Sequence, residues 1–246
     1  MKKNVNMTCM ISVLMLLLFV PVINAQNNND DVRLFESFFF DVPISEKPYV
    51  QGGLQYWSYD YANILDIGAQ GGYAINKKLE IQAGWGFQSI SPDVGDGQSG
   101  ISDLALFGRY KLANGGPTNF AAGAMLTLPI GSEDVGQGLM HFGGFGAVRH
   151  SLGNGMTLTG NIALIFYEVG DDRETSFNLS AGTIYPINEK LCLVSEFSLH
   201  SEFDYMIVTS GIDYNLGSGR VRAGLGIGLD DGAPDIKIMG GYLFTL

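Results

Sequence analysis

His200 is flanked by Ser198 and Ser201. These are the residue types of a nucleophile and its general base. A hydrolase working on lipid would need such a pair on a lipid-facing rim. Alternation along an extended chain instead puts Ser198, His200 and Glu196 on one inward face. His141 and His150 have no serine and acid arranged around them either. Two acidic pairs, Asp171-Asp172 and Asp230-Asp231, offer the oxygen ligands that Ca²⁺ takes. No ordered Asp-x-Asp-x-Asp-Gly array surrounds them, and short acidic runs in loops are usually solvated. The sequence therefore points to no enzyme, no catalytic residue, no metal site and no cofactor.

The remaining charges fall at alternate positions of otherwise apolar segments. They are Asp66, Glu80, Asp103, Arg109, Lys111, Arg149, Glu196, Asp213, Arg220, Arg222 and Lys237. On one face of a closed sheet they would line a lumen. Arg109, Lys111, Arg149 and Arg220 fall toward one end, and Asp66 and Glu174 toward the other. Charge of one sign anchored at a mouth focuses the field and favours counter-charged solutes. Opposite charges in a narrow barrel can instead pair across the lumen and fill it. Gly68, Gly72, Gly84, Gly86, Gly224, Gly226 and Gly228 share that face. They could leave open space, or relieve crowding where strands bend. The residues alone leave both readings standing.

The elements that must position these charges are strands. Residues 1–25 have the form of a signal peptide: Lys2 and Lys3, an apolar run from Met10 to Val22, and a small residue at Ala25. That run is too short for a spanning helix, which needs about 20 residues. Cleavage would remove Cys9 and leave Cys192 as the single cysteine, which excludes a disulfide framework and a Cys-based zinc site. No later stretch is apolar enough for a membrane helix. Yet 46% of residues are hydrophobic and only 16% charged, against about 25% charged in soluble domains. A transmembrane barrel spends its apolar residues on alternate, lipid-facing positions.

Twelve period-2 segments follow, at 49–58, 63–75, 79–90, 100–112, 118–129, 139–151, 156–168, 174–186, 190–201, 204–215, 220–229 and 235–246. In the seventh, Leu158, Ile162 and Leu164 oppose Thr157, Thr159 and Asn161. Short turns (76–78, 114–116, 154–155, 188–189, 217–219) alternate with longer, acidic connections (91–99, 130–138, 169–173, 230–234). In bacterial barrels the short turns are periplasmic and the long loops external. Tyr73, Tyr110, Phe120, Tyr185, Tyr214 and Tyr242 then fall at the periplasmic membrane interface, where aromatic rings are favoured. Tyr56, Trp85, Phe87 and Phe166 form the opposite belt. The expected fold is all-β, a transmembrane antiparallel up-and-down barrel of about twelve strands over 49–246. Residues 26–48 precede it as a periplasmic leader, a lumen plug or an extra strand.

Two stretches carry a family resemblance. Gly100-Ile101-Ser102-Asp103-Leu104, continuing to Arg109-Tyr110-Lys111, and Leu126-Thr127-Leu128-Pro129-Ile130-Gly131-Ser132 resemble motifs of an outer-membrane family named for the meta-cleavage pathway of phenol degradation. The resemblance implies a barrel that passes small molecules, apolar or aromatic ones among them, and carries over no catalytic residues. The expected function is passive passage across the bacterial outer membrane. The alternative is a closed structural or adhesion barrel whose acidic loops bind an external partner; a lipid hydrolase stands behind both. Expected partners are outer-membrane lipid, a small solute, and the barrel assembly machinery through the terminal Tyr242, Phe244 and Leu246. An acidic chain, with net charge −11, is unsuited to nucleic acid. A monomer is the favoured state.

Overall fold

A computed structural model describes residues 31–113, 116–136, 138–169 and 172–246. The expected signal peptide, residues 26–30 of the leader, and Asn114, Gly115 and Asp171 lie outside them.

The strands are β1 (Tyr49–Ser58), β2 (Ala62–Asn76), β3 (Leu79–Pro92), β4 (Gln98–Ile101), β5 (Leu104–Ala113), β6 (Thr118–Leu128), β7 (His141–Ser151), β8 (Thr157–Val169), β9 (Asp172–Pro186), β10 (Leu191–His200), β11 (Tyr205–Asn215), β12 (Gly219–Gly228) and β13 (Ile236–Thr245). Apart from β4 and β5, neighbours in sequence pair antiparallel, and β1 pairs with β13 from Tyr49↔Thr245 to Ser58↔Ile236. The sheet is thus a closed ring. Both β4 and β5 pair with β3, so they are two pieces of one stave and the barrel has twelve.

That break corrects the continuous fourth strand expected at 100–112. Its cause is local. The Ser102 hydroxyl takes the Gly86 backbone N–H at 3.0 Å, and the Asp103 carboxylate takes the Gly131 N–H at 2.9 Å. Side chains there supplement the backbone bond that remains, from the Ser102 N–H to the Gly86 carbonyl at 2.8 Å.

The short turns are held by asparagines. Asn76, Asn154, Asn188 and Asn215 each accept a backbone N–H two residues on, at 2.8 to 3.1 Å. This is the local bonding that makes asparagine a turn residue. Gly217, at φ +89°, takes the left-handed conformation that one of these turns requires.

Burial follows the pleat. In β8, Thr157, Thr159, Asn161, Ala163 and Ile165 are buried while Leu158, Ile162 and Leu164 are exposed. The core is therefore inside the ring, and the outer wall is apolar. Ile67, Ile162, Ile227 and Ile238 stand exposed on it. Its charged strand residues among those described are Glu168 and Arg173, joined at 2.7 Å at the long-loop end. Such a wall belongs in hydrocarbon, and a closed ring leaves no unpaired backbone there.

The interior is occupied by residues 32–48, which run inside the barrel without regular structure. Val32 and Leu34 pack with Ile184, Cys192 and Val194. Val42 packs with Ala121, Phe145 and Ile165, and Phe38 with Tyr49 and Leu243. These contacts lie mainly in the half of the barrel nearer the short turns. Toward the long loops, Tyr167, His200, Tyr205 and Phe203 fill the β7–β11 side with ring contacts near 5 Å.

Candidate functional site

Six of the eleven inward wall charges bond the inner segment directly. Glu196 accepts the backbone N–H groups of Phe35, Glu36 and Ser37 at 3.0, 2.8 and 2.9 Å, and the Ser37 hydroxyl as well. Arg149 donates to the Val32 carbonyl at 2.8 Å and forms a salt bridge with Asp41. Arg109 donates to the Asp41 carbonyl at 2.8 Å and pairs with Glu80. Glu80 in turn accepts the Ser45 N–H at 2.7 Å and the Tyr49 hydroxyl at 2.9 Å. Arg222 donates to the carbonyls of Arg33 and Leu34 at 2.6 and 2.9 Å, and Asp213 holds it from behind at 3.1 Å. Arg220 pairs with the same Asp213. Lys237 reaches Glu36 at 2.7 Å. A segment without a ladder has its backbone groups satisfied by wall side chains, as buried polar groups require.

The glycines serve the same segment. A Cβ on Gly84 would stand 3.1 Å from the Phe39 ring, and one on Gly211 2.6 Å from Phe35. Gly224 and Gly72 face Phe35 and Tyr49 in the same way. These positions are seats for rings, so at them the space expected to be open is taken. Phe39 stacks on Phe107 at 4.3 Å and Phe40 meets Phe145 edge-on at 5.1 Å.

Space remains on one side. A cavity of about 340 Å³ lies between the inner segment and the wall of β13, β1, β2 and β3, reaching the break at Ser102–Asp103. Gly53, Gly68, Gly86 and Gly241 keep that wall low. Its lining is mixed: Phe35, Phe39, Trp57 and Met239 are apolar, and Gln51, Gln55 and Asp66 are polar. A pocket of this size and mixture can enclose a small organic molecule.

The structure therefore divides the eleven inward charges. Asp66 and Asp103 line the cavity, and Lys237 and Arg222 touch it while bonding the inner segment. Glu80, Arg109, Arg149, Glu196 and Asp213 are buried in the inner network, with Arg220 at its short-turn edge. Lys111 is on the inward face opposite Ala121 and donates its backbone N–H to Lys78. The basic end of the expected polarised pore is thus largely taken up by bonds to the segment and to Glu80 and Asp213. Sequence reasoning missed Arg33, Glu36 and Asp41, which complete the network. Their signal was three charges among four phenylalanines in a stretch with no periodicity.

Of the interface aromatics, Tyr73, Tyr110, Phe120 and Tyr214 are exposed on the outer wall, and Tyr185 and Tyr242 are half-buried there. Tyr242 meets Phe244 at 4.3 Å. His200 stacks on Tyr205 inside the barrel, and Ser198 bonds Ser180 at 2.8 Å, so neither faces lipid. Among the described residues no cluster of three His, Cys, Asp or Glu could hold a metal. Asp230 accepts the backbone N–H of Asp231 at 3.0 Å.

The two motif stretches meet in space. The Ser132 hydroxyl accepts the Ile101 N–H at 2.8 Å, and Ser132 returns its own N–H to the Ile101 carbonyl at 2.9 Å.

No family model and no curated protein matches the sequence. Solved structures do match in shape. The COG4313 outer membrane channel from Pseudomonas putida F1 is 14% identical with a TM-score of 0.70, over 87% of this chain and all of that one. The KdgM porin in complex with disordered oligogalacturonate is 8% identical with a TM-score of 0.56, over 80% and 99%. The Ralstonia pickettii toluene transporter TbuX is 10% identical with a TM-score of 0.50, over 82% and 90%. With its closed twelve-stave ring and apolar outer wall, the chain has the fold of a bacterial outer-membrane β-barrel.

Proposed function

We propose that this protein is an outer-membrane channel for passive passage of small molecules, apolar and aromatic ones in particular. The observation that carries the reading is the cavity beside the inner segment: small, with Phe35, Phe39, Trp57 and Met239 set among polar and charged groups. The fold neighbours are a channel, a porin and a toluene transporter, which supports a transport role. The meeting of Gly100–Leu104 with Pro129–Ser132 supports membership of the phenol meta-cleavage family, since a shared motif is better explained when its halves form one structure.

The protein works as a monomer in the outer membrane. It is delivered by the signal peptide at 1–25 and inserted through recognition of Tyr242, Phe244 and Leu246. Swelling of proteoliposomes tests the reading. Small aromatic alcohols should enter faster than sugars of similar size. Entry of neither would overturn it and favour the closed, structural barrel, which the filled lumen also fits.

A further inference from the structure

Asp66 has a feature that passage of a neutral solute does not need. Its carboxylate lies across the wall glycines, its oxygens 3.5 and 3.6 Å from where Cβ atoms on Gly68 and Gly86 would be. It is among the residues that line the cavity. Its one donor is the Gln88 side-chain amide at 3.0 Å, and among the described residues it stands in no ion pair. A carboxylate offers about four acceptor sites, so most of this one is unclaimed.

The cations nearby are committed elsewhere. Lys237 bonds Glu36 at 2.7 Å, and Arg222 is held by Asp213 at 3.1 Å. Asp103, also on the cavity, adds negative charge while accepting the Gly131 N–H. Phe35, Phe39 and Met239 of the apolar lining face the same space.

We propose that the cavity is a binding site for a small amphiphile bearing a protonated amine, its ammonium group on Asp66 and its apolar body against Phe35, Phe39 and Met239. An ammonium supplies three donors and the matching charge. Away from bulk water such a pair attracts more strongly than in it. The assignment deepens the transport reading and rests on it only for the cavity's role in passage, since binding can be measured by itself.

Of the two tryptophans of the chain, Trp57 faces the cavity and Trp85 stands exposed on the outer wall, so the ligand-dependent part of the intrinsic fluorescence of the full barrel in detergent, which arises from Trp57, reports on it. The probes are 4-phenylbutylamine, the neutral 4-phenylbutanol and the anionic 4-phenylbutanoate at neutral pH. The amine should saturate the signal at about one-tenth the concentration the alcohol needs, as a charge-assisted bond implies. The anion should bind worst. D66N should bring the amine to the level of the alcohol and leave the alcohol unchanged. Equal affinity for amine and alcohol, or a preference that survives in D66N, overturns the proposal. The three-probe comparison on the unaltered chain decides the matter if D66N does not fold. Swelling assays with the same probes separate the two readings. Entry without amine preference leaves passage standing and removes the site. Asp66-dependent binding without entry leaves the site and removes passage.

Discussion

Glu196 does the work of a missing strand. One carboxylate satisfies three consecutive backbone N–H groups of the inner segment and the Ser37 hydroxyl. In E196Q one of its two oxygens becomes a donor facing other donors, so docking of the segment should weaken by about 1–3 kcal/mol. Faster protease cleavage between residues 32 and 42, with the barrel intact on gels, would register it. Asp41 is subject to opposing influences. Burial pushes its carboxyl up, but the Arg149 guanidinium, with Arg33 and Arg109 behind it, more than offsets this and holds it below the usual range. A group depressed in the folded state stabilises above its unfolded pKa and loses that contribution as pH falls through its folded pKa. Docking should therefore be constant at neutral pH and weaken below about pH 4, seen as acid-induced cleavage of the same segment. In D41N the buried Arg149 loses its counter-charge, and a cost of about 3–5 kcal/mol is expected in chemical denaturation. At Gly84, an alanine would press on the Phe39 ring, and G84A should cost about 1–3 kcal/mol by overpacking.

At the level of elements, legibility tracked periodicity. The hairpins were readable because apolar and polar residues alternate, as in Thr157–Phe166, and because Asn76, Asn154 and Asn188 announce their turns. The break between β4 and β5 was not readable, because it is made by bonds to residues far away in sequence, from Ser102 to Gly86 and from Asp103 to Gly131. The inner segment was opaque for the same reason. Nothing local tells a stretch such as Phe35–Phe40 that Glu196 and Arg222 await it. The inward charges were legible as inward from their alternation, but not their partners. D103A should remove the acceptor of the Gly131 N–H while leaving Ser132 bonded to Ile101. Faster amide hydrogen exchange at Gly131, with Ser132 and the rest of the strands unchanged, is the expected outcome.

For the whole molecule, the ring removes the hazard of an open edge, since β1 and β13 pair along their full length. The apolar outer wall and the packed interior then exchange the usual roles of surface and core. The filling is lopsided toward the long loops: rings meet on the β7–β11 side, while the wall at Gly53, Gly68, Gly86 and Gly241 borders the cavity. Deleting residues 32–42 should therefore enlarge the lumen on all sides and raise single-channel conductance well above that of the intact chain. An unchanged current would mean that the strand side chains alone seal the barrel.

Residues 32–48 lead directly into β1, and β1 is the strand that closes onto β13. Joining the first strand to the last therefore also shuts the segment in. Both ends of the segment, at Arg33 and Ser45, lie together at the short-turn mouth beside Asn215 and Gly219. Arriving after closure, it would have to push four phenylalanine rings through that mouth and in among buried charges, so the connectivity favours docking before β1 meets β13.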